Sequence, residues 1–111
     1  MSKLLQRQQD FAEALIGFLT EVLNAYPEIR ITFGDFVATS GHMEGSNHSR
    51  RLAADINFFR GDEYLRSYDQ WPKFWDDIGP RWERRCPDAR WGGRFQSVDL
   101  NHFSFEWDGI Q

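Results

Sequence analysis

The chain has 111 residues, which is enough for one domain. Its 17 acidic and 13 basic residues give a formal net charge of -4, which argues against general nucleic-acid binding, because such binding needs an excess of basic contacts to phosphates. A hydrophobic fraction of 41% suits one compact core, and no apolar run reaches the length of about 18 residues that a membrane-spanning helix needs.

The first predicted element is an amphipathic helix over residues 3–24, with Ser2 as its N-cap. Pro27 ends this helix. Apolar and polar residues then alternate over residues 29–33, which predicts a half-buried strand that Gly34 closes. The apolar stripe of the helix consists of Leu4, Leu5, Phe11, Leu15, Phe18, Val22 and Leu23.

The residue pattern in the middle of the chain predicts a loop, a strand and a second helix. Residues 35–47 are small or polar and predict the loop, whereas residues 52–59 are largely apolar and predict the strand. A turn is predicted at residues 60–62. Aromatic residues at spacings of three and four predict a helix over about 69–85, although Gly79-Pro80 should break or kink it.

The last part of the chain predicts two short extended segments. Residues 91–95 predict a turn or short strand, and residues 102–107 alternate as a final strand. The expected fold is therefore a single α+β domain over residues 1–111, with helices packed on a small antiparallel sheet. Cys86 is the only cysteine, so an intramolecular disulfide is excluded.

Five arginines fall within fourteen positions of the second half of the chain. They predict either a local basic surface or an ordinary solvated helix face. They are Arg81, Arg84, Arg85, Arg90 and Arg94.

Four residues have metal-ligating or acid–base side chains: His48 at the end of the predicted loop, Asp55 inside the strand that follows, and Asp99 and His102 where the chain enters the last strand. His48 and Asp55 are seven residues apart, and Asp99 and His102 are three apart. Two histidines and one carboxylate suit an open zinc site, and Asp99 could then take the proton of a bound water. Spacing alone leaves ordinary hydrogen-bonded residues as the alternative, but Asp55 in an apolar strand needs a cation, a metal or several donors.

Two segments resemble the motifs of one known enzyme family. Residues 46–55 read S-N-H-S-R-R-L-A-A-D and resemble S-x-H-x-x-G-x-A-x-D of the zinc D-alanyl-D-alanine carboxypeptidase and L-alanyl-D-glutamate peptidase family. Residues 91–95, followed by residues 99–103, resemble its second motif, W-G-G-x-W/F then D/E-x-x-H-F. The resemblance spans about residues 29–106 and is strongest to phage endolysin catalytic domains.

The resemblance implies the zinc fold of hedgehog and D-Ala-D-Ala peptidase domains, with zinc on His48, Asp55 and His102. It also implies that Asp99 is the catalytic acid/base in hydrolysis of peptidoglycan stem peptides. Glu106 lies on the same side of its predicted strand as His102, where it is either a carboxylate that orients a ligand or a plain surface charge. Polar residues interrupt the first helix, so we expect no secretory signal. Synthesis in the cytoplasm would then be followed by access to the wall through a membrane lesion made by another protein.

The chain departs from the family pattern at two places. Arg51 stands where the first motif has Gly, and residues 34–39 lack the Arg that usually follows the early strand and helps to bind substrate. Arg50, Arg51 or His42 could substitute for that arginine. Trp91 is expected to pack under the site and is a further candidate for substrate binding. The rival interpretation is a zinc-containing wall-binding or phage structural module that is catalytically weak or inactive.

Overall fold

A computed structural model describes residues 2–36 and 50–111 of the chain. The elements are α1 (Lys3–Ala25), β1 (Ile29–Phe33), β2 (Ala53–Arg60), β3 (Glu63–Tyr64), a 3₁₀ helix (Tyr68–Gln70), α2 (Pro72–Glu83), β4 (Ala89–Trp91), a second 3₁₀ helix (Gly92–Arg94) and β5 (His102–Phe105). Within the described residues the strands form one antiparallel sheet in the order β1-β2-β5-β4, with β3 beside β2. The predicted α+β architecture is confirmed.

The helix α1 follows the sequence prediction closely. The Ser2 hydroxyl accepts a hydrogen bond from the Leu5 N–H at 3.1 Å and so caps the helix as expected. The helix ends at Ala25, where Tyr26 still donates its N–H to the Val22 carbonyl. No helix among the described residues has the length and apolarity to cross a membrane.

The core lies between the helices and one face of the sheet. Along β2 the fully buried Ala54, Ile56 and Phe58 alternate with the half-buried Asp55 and Asn57. Successive strand residues point to opposite faces, so the apolar set faces the helices and the polar pair faces the other side. Edge-to-face aromatic contacts fill the core, including Phe11 with Phe105, Phe18 with Trp82, and Trp82 with Phe103.

The second helix differs from its prediction in two ways. It begins at Pro72, and a separate 3₁₀ helix over Tyr68–Gln70 precedes it. The expected break at Gly79-Pro80 is wrong, because α2 continues through both residues to Glu83. The helix packs closely on β4 at this point: Gly79 lies so close to Trp91 that a Cβ there would be 2.3 Å from the ring.

Ion pairs neutralise most of the arginine cluster, which favours the solvated-face interpretation over a basic surface. The Arg81 hydrogen bond lowers the pKa of Glu21, and this contact joins α1 to α2. The pairs are Arg81 with Asp77 and Glu21, Arg85 with Glu21, Arg90 with Glu106, and Arg94 with Glu83.

Candidate functional site

The site begins with a pair of residues that lie directly opposite each other in the sheet. Asp55 on β2 faces His102 on β5, and the Ile56 N–H donates to the Asn101 carbonyl at 2.9 Å. This hydrogen bond makes Asp55 and His102 a non-hydrogen-bonded pair, the kind in which opposing side chains approach most closely. The Nδ1 atom of His102 consequently lies 3.7 Å from Oδ1 of Asp55.

Asp99 completes a cluster with these two residues. The potential ligand atoms of Asp55, Asp99 and His102 all lie within 4.8 Å of one another. His102 is buried, Asp55 is half-buried and Asp99 is exposed, so the cluster opens to solvent on the side of Asp99. The ring of Phe95 packs against the His102 imidazole at 5.2 Å between centroids.

The Trp91-Gly92 segment holds the turn that carries Asp99 and His102. The Gly92 carbonyl accepts the Asp99 N–H at 2.9 Å, and the Trp91 indole N–H donates to the Leu100 carbonyl at 2.8 Å. Within the turn, the His102 N–H donates to the Asp99 carbonyl at 3.1 Å. The two parts of the second motif are therefore in direct contact, and the tryptophan and glycine position the acid and the histidine.

Gly92 offers a test of this scaffold, because a Cβ there would be 2.0 Å from the Asp99 carbonyl oxygen. We expect Gly92→Ala to displace the Asp99 turn, to cost about 1–3 kcal/mol of stability as overpacked sites do, and to weaken metal binding. Denaturant unfolding and zinc titration measure the two effects. Gly17→Ala is the control, since only the flexible Arg85 guanidinium has to move there. Parental zinc affinity in Gly92→Ala would contradict the scaffold role.

The donor set fits zinc. Two ligands held at zinc bond lengths in a tetrahedron are about 3.4 Å apart, close to the observed 3.7 Å between Asp55 and His102. An imidazole nitrogen with carboxylate oxygens is a combination that open zinc sites use. Asp55, His102 and Asp99 could therefore surround one zinc ion, with Asp99 either beside it or bound to it.

The other predicted ligand, His48, lies outside the described residues, and so does His42. Zinc ligation by His48 and a substrate role for His42 therefore stay predictions. Asp55, Asp99 and His102 are the predicted site residues that the structure brings together. Trp91 is buried at 4% exposure and stacks on Trp75, and a substrate role for it stays a prediction.

The two arginines suggested as substitutes for the missing one lie in different surroundings. Arg51 lines an apolar groove of about 520 Å³ beside α1, and this groove does not include Asp55, Asp99 or His102. The Arg50 carbonyl accepts a hydrogen bond from Gln8 of α1 at 2.8 Å. The Nη1 atom of the Arg50 side chain is buried. A substrate role for either arginine stays a prediction.

A second cleft lies directly beside Asp99. It has a volume of about 350 Å³ and is lined by residues 64–68 and 98–101. Arg66 is the cation in this lining, and its guanidinium lies 5.5 Å from the centre of the Tyr64 ring. The sequence did not predict a role for Arg66, because the candidate cations were those near the first motif. The β2–β3 hairpin places Arg66 at the cleft instead.

The second ring nitrogen of His102 contacts Gln111, the last residue that the structure describes. Nε2 lies 2.9 Å from the main-chain oxygen of Gln111. Glu106, the alternative considered from the sequence, instead pairs with Arg90 at 3.4 Å. Sequence reasoning missed the Gln111 contact, although Asp108-Gly109 is a turn signal that could have indicated a chain reversal after β5.

Comparison with known proteins agrees with this geometry. The model of a family described as D-alanyl-D-alanine carboxypeptidase matches residues 39–105, which is more than half of the chain and includes all four predicted site residues. No curated protein and no solved structure matches the chain. The cluster of Asp55, Asp99 and His102 falls within the matched region. The chain therefore belongs to the D-alanyl-D-alanine carboxypeptidase family of peptidases.

Proposed function

We propose that the protein is a zinc metallopeptidase that hydrolyses a peptide bond in the stem peptide of bacterial peptidoglycan. The observation that carries this proposal is the cluster of Asp55, Asp99 and His102, whose ligand atoms lie within 4.8 Å of one another in a chain of a peptidase family. His48 of the first motif is the proposed third ligand.

The site residues have two proposed roles: Asp55 and His102 hold the metal, and Asp99 transfers the proton. Bound zinc polarises the scissile carbonyl and lowers the pKa of water towards about 7. Asp55 and His102 hold their positions through the sheet, because each is fixed by the backbone pairing of β2 with β5. Asp99 is exposed and faces the cleft, where its carboxylate accepts the proton of the attacking water and passes it to the leaving amine.

The cleft beside Asp99 is the proposed substrate site. A carboxypeptidase substrate ends in a free carboxylate next to the scissile bond, so it needs a cation within reach of the general base. Arg66 lines the same cleft as Asp99 and supplies that charge. A charge-assisted hydrogen bond of this kind contributes roughly 1.5–3 kcal/mol.

We expect Arg66→Ala to raise the KM for stem peptides by roughly tenfold or more, with kcat changed less, because it removes substrate binding and leaves the proton transfer in place. Steady-state kinetics on a soluble stem peptide measure both constants. Arg84→Ala, an exposed arginine at the end of α2, is the matched control and should behave like the parent protein. An unchanged KM in Arg66→Ala would remove this arginine from the substrate site.

The proposed setting is that of a phage or prophage endolysin. Synthesis in the cytoplasm would be followed by entry to the wall through a membrane lesion made by another protein. Secretion assays in the host test this route to the wall independently of the hydrolysis. Export of the protein without a lytic partner would contradict the endolysin setting.

The experiment that tests the proposed function is the release of free amino groups from purified peptidoglycan. We expect release by the zinc-loaded protein, its loss on chelation and its recovery when zinc is restored. Release that survives full removal of the metal would contradict zinc-dependent hydrolysis. Zinc binding without any release would support the wall-binding or structural module instead.

A further inference from the structure

The chain turns back sharply after β5. Trp107 and Ile110 exchange two main-chain hydrogen bonds of 2.9 Å each, with only Asp108 and Gly109 between them. Both central residues have positive φ, 50° and 75°, which is the pattern of a type I′ turn and explains the Asp-Gly sequence. The turn brings Gln111 back alongside β5.

The returning residue contacts the same face of β5 that carries the site. The Gln111 main-chain oxygen lies 2.9 Å from Nε2 of His102 and 2.6 Å from the hydroxyl of Ser104. His102 and Ser104 are two residues apart on β5, so their side chains share the face opposite to the core residue Phe103. The hydroxyl of Ser104 donates to the oxygen and so fixes its position beside the imidazole.

This contact has a chemical consequence for His102. A main-chain oxygen can only accept a hydrogen bond, so Nε2 must be the donor and carry the proton. In a neutral imidazole the other nitrogen, Nδ1, then carries no proton and is the nitrogen that can bind a metal ion. Nδ1 is the atom that lies 3.7 Å from Asp55 Oδ1, on the side of the cluster.

We propose that the main-chain oxygen of Gln111, set in place by the Asp108-Gly109 turn and by Ser104, is a positioning group that selects the metal-binding tautomer of His102. This inference rests on the proposed function, since it concerns the zinc site of that peptidase. A metal-bound histidine commonly donates its second N–H to an acceptor, and loss of that acceptor typically lowers metal affinity by 10–100-fold.

Gly109→Val tests the proposal through the turn. Valine is strained at a φ of 75°, while a Cβ at this position meets nothing within 4 Å, so the change acts on the backbone of the turn alone. We expect zinc affinity, measured by competition with a chelator, to fall by about 10–100-fold. Gly61→Val is the matched control: it has a φ of 62° and equally open space, but its turn joins β2 to β3. Gln111→Ala keeps the main-chain oxygen and should bind zinc like the parent.

A second readout needs no metal. Nitrogen NMR of the metal-free protein, at a pH where imidazole is neutral, should show His102 protonated at Nε2 in the parent and in Gly61→Val, with a mixed tautomer in Gly109→Val. A His102 protonated at Nδ1 in the parent overturns the inference whatever the protein does with zinc, and so does equal zinc affinity in Gly109→Val and Gly61→Val. A parent that shows the Nε2 proton but binds no zinc refutes the proposed function, and the positioning role fails with it.

Discussion

We expect Asp99→Asn to lose peptidoglycan hydrolysis by about 10²–10⁴-fold while it still binds one zinc ion, since this is the usual effect of removing a general acid–base group. Asparagine keeps the shape of the side chain but cannot accept the proton of the attacking water. Asp99 is exposed beside the cleft, and its main-chain hydrogen bond to the Gly92 carbonyl does not depend on the side chain, so the substitution should leave the fold intact. Amine release and zinc content, measured on the same samples, report the two properties.

Two further variants sharpen this test. Asp99→Glu keeps the carboxylate and should retain partial activity, because related motifs contain either acid. Asp62→Asn is the matched control, since it makes the same substitution in the exposed β2–β3 turn, away from the cluster. Parental cleavage by Asp99→Asn would remove Asp99 as the base. Loss of zinc in the same variant would make Asp99 a ligand, which the closeness of the three donors permits.

The second large effect concerns the metal ligands. We expect Asp55→Ala and His102→Ala each to weaken zinc binding by roughly 10²-fold or more, because about 10–16 kcal/mol of zinc binding is divided among a few ligands. The same loss is expected for His48→Ala, the proposed third ligand. Zinc at 100 times its Kd should stabilise the parent by about 2.7 kcal/mol but should stabilise these variants much less. Thermal unfolding with and without zinc measures the difference.

Asn57→Ala is the control for the ligand variants. Asn57 lies two residues along β2 from Asp55, on the same face, and its side chain bonds to Asn101 and Tyr64. Its removal tests whether a merely structural change on this face abolishes zinc binding. If Asp55→Ala or His102→Ala binds zinc as tightly as Asn57→Ala does, the ligand assignment is wrong.

The fold was predictable from sequence where local chemistry decides it. The cap at Ser2, the alternation over residues 29–33 and the apolar run over residues 52–59 predicted α1, β1 and β2 to within one or two residues, since these signals act over a few positions. The Gly79-Pro80 prediction failed because a tertiary contact decides that position. Trp91, twelve residues beyond Gly79, fills the space where a Cβ would stand, and no local pattern contains that information.

Part of the candidate site was also predictable from the sequence, and part of it was not. The two motifs identified Asp55, Asp99 and His102, and the register of β2 against β5 explains why residues so far apart in sequence meet. Arg66 and Gln111 were not predictable from those motifs. One lines the cleft because a hairpin turns at Gly61, and the other meets His102 because the chain reverses after β5, so both depend on tertiary placement.

The most direct test of the central claim is mass spectrometry of a defined stem peptide after incubation with the zinc-loaded protein. The account predicts cleavage of one peptide bond, with one water added across it. It also predicts no products after chelation and a rate lowered by about 10²–10⁴-fold with Asp99→Asn. An intact stem peptide, recovered after incubation with protein that demonstrably holds zinc, would contradict the claim that this chain is a peptidoglycan peptidase.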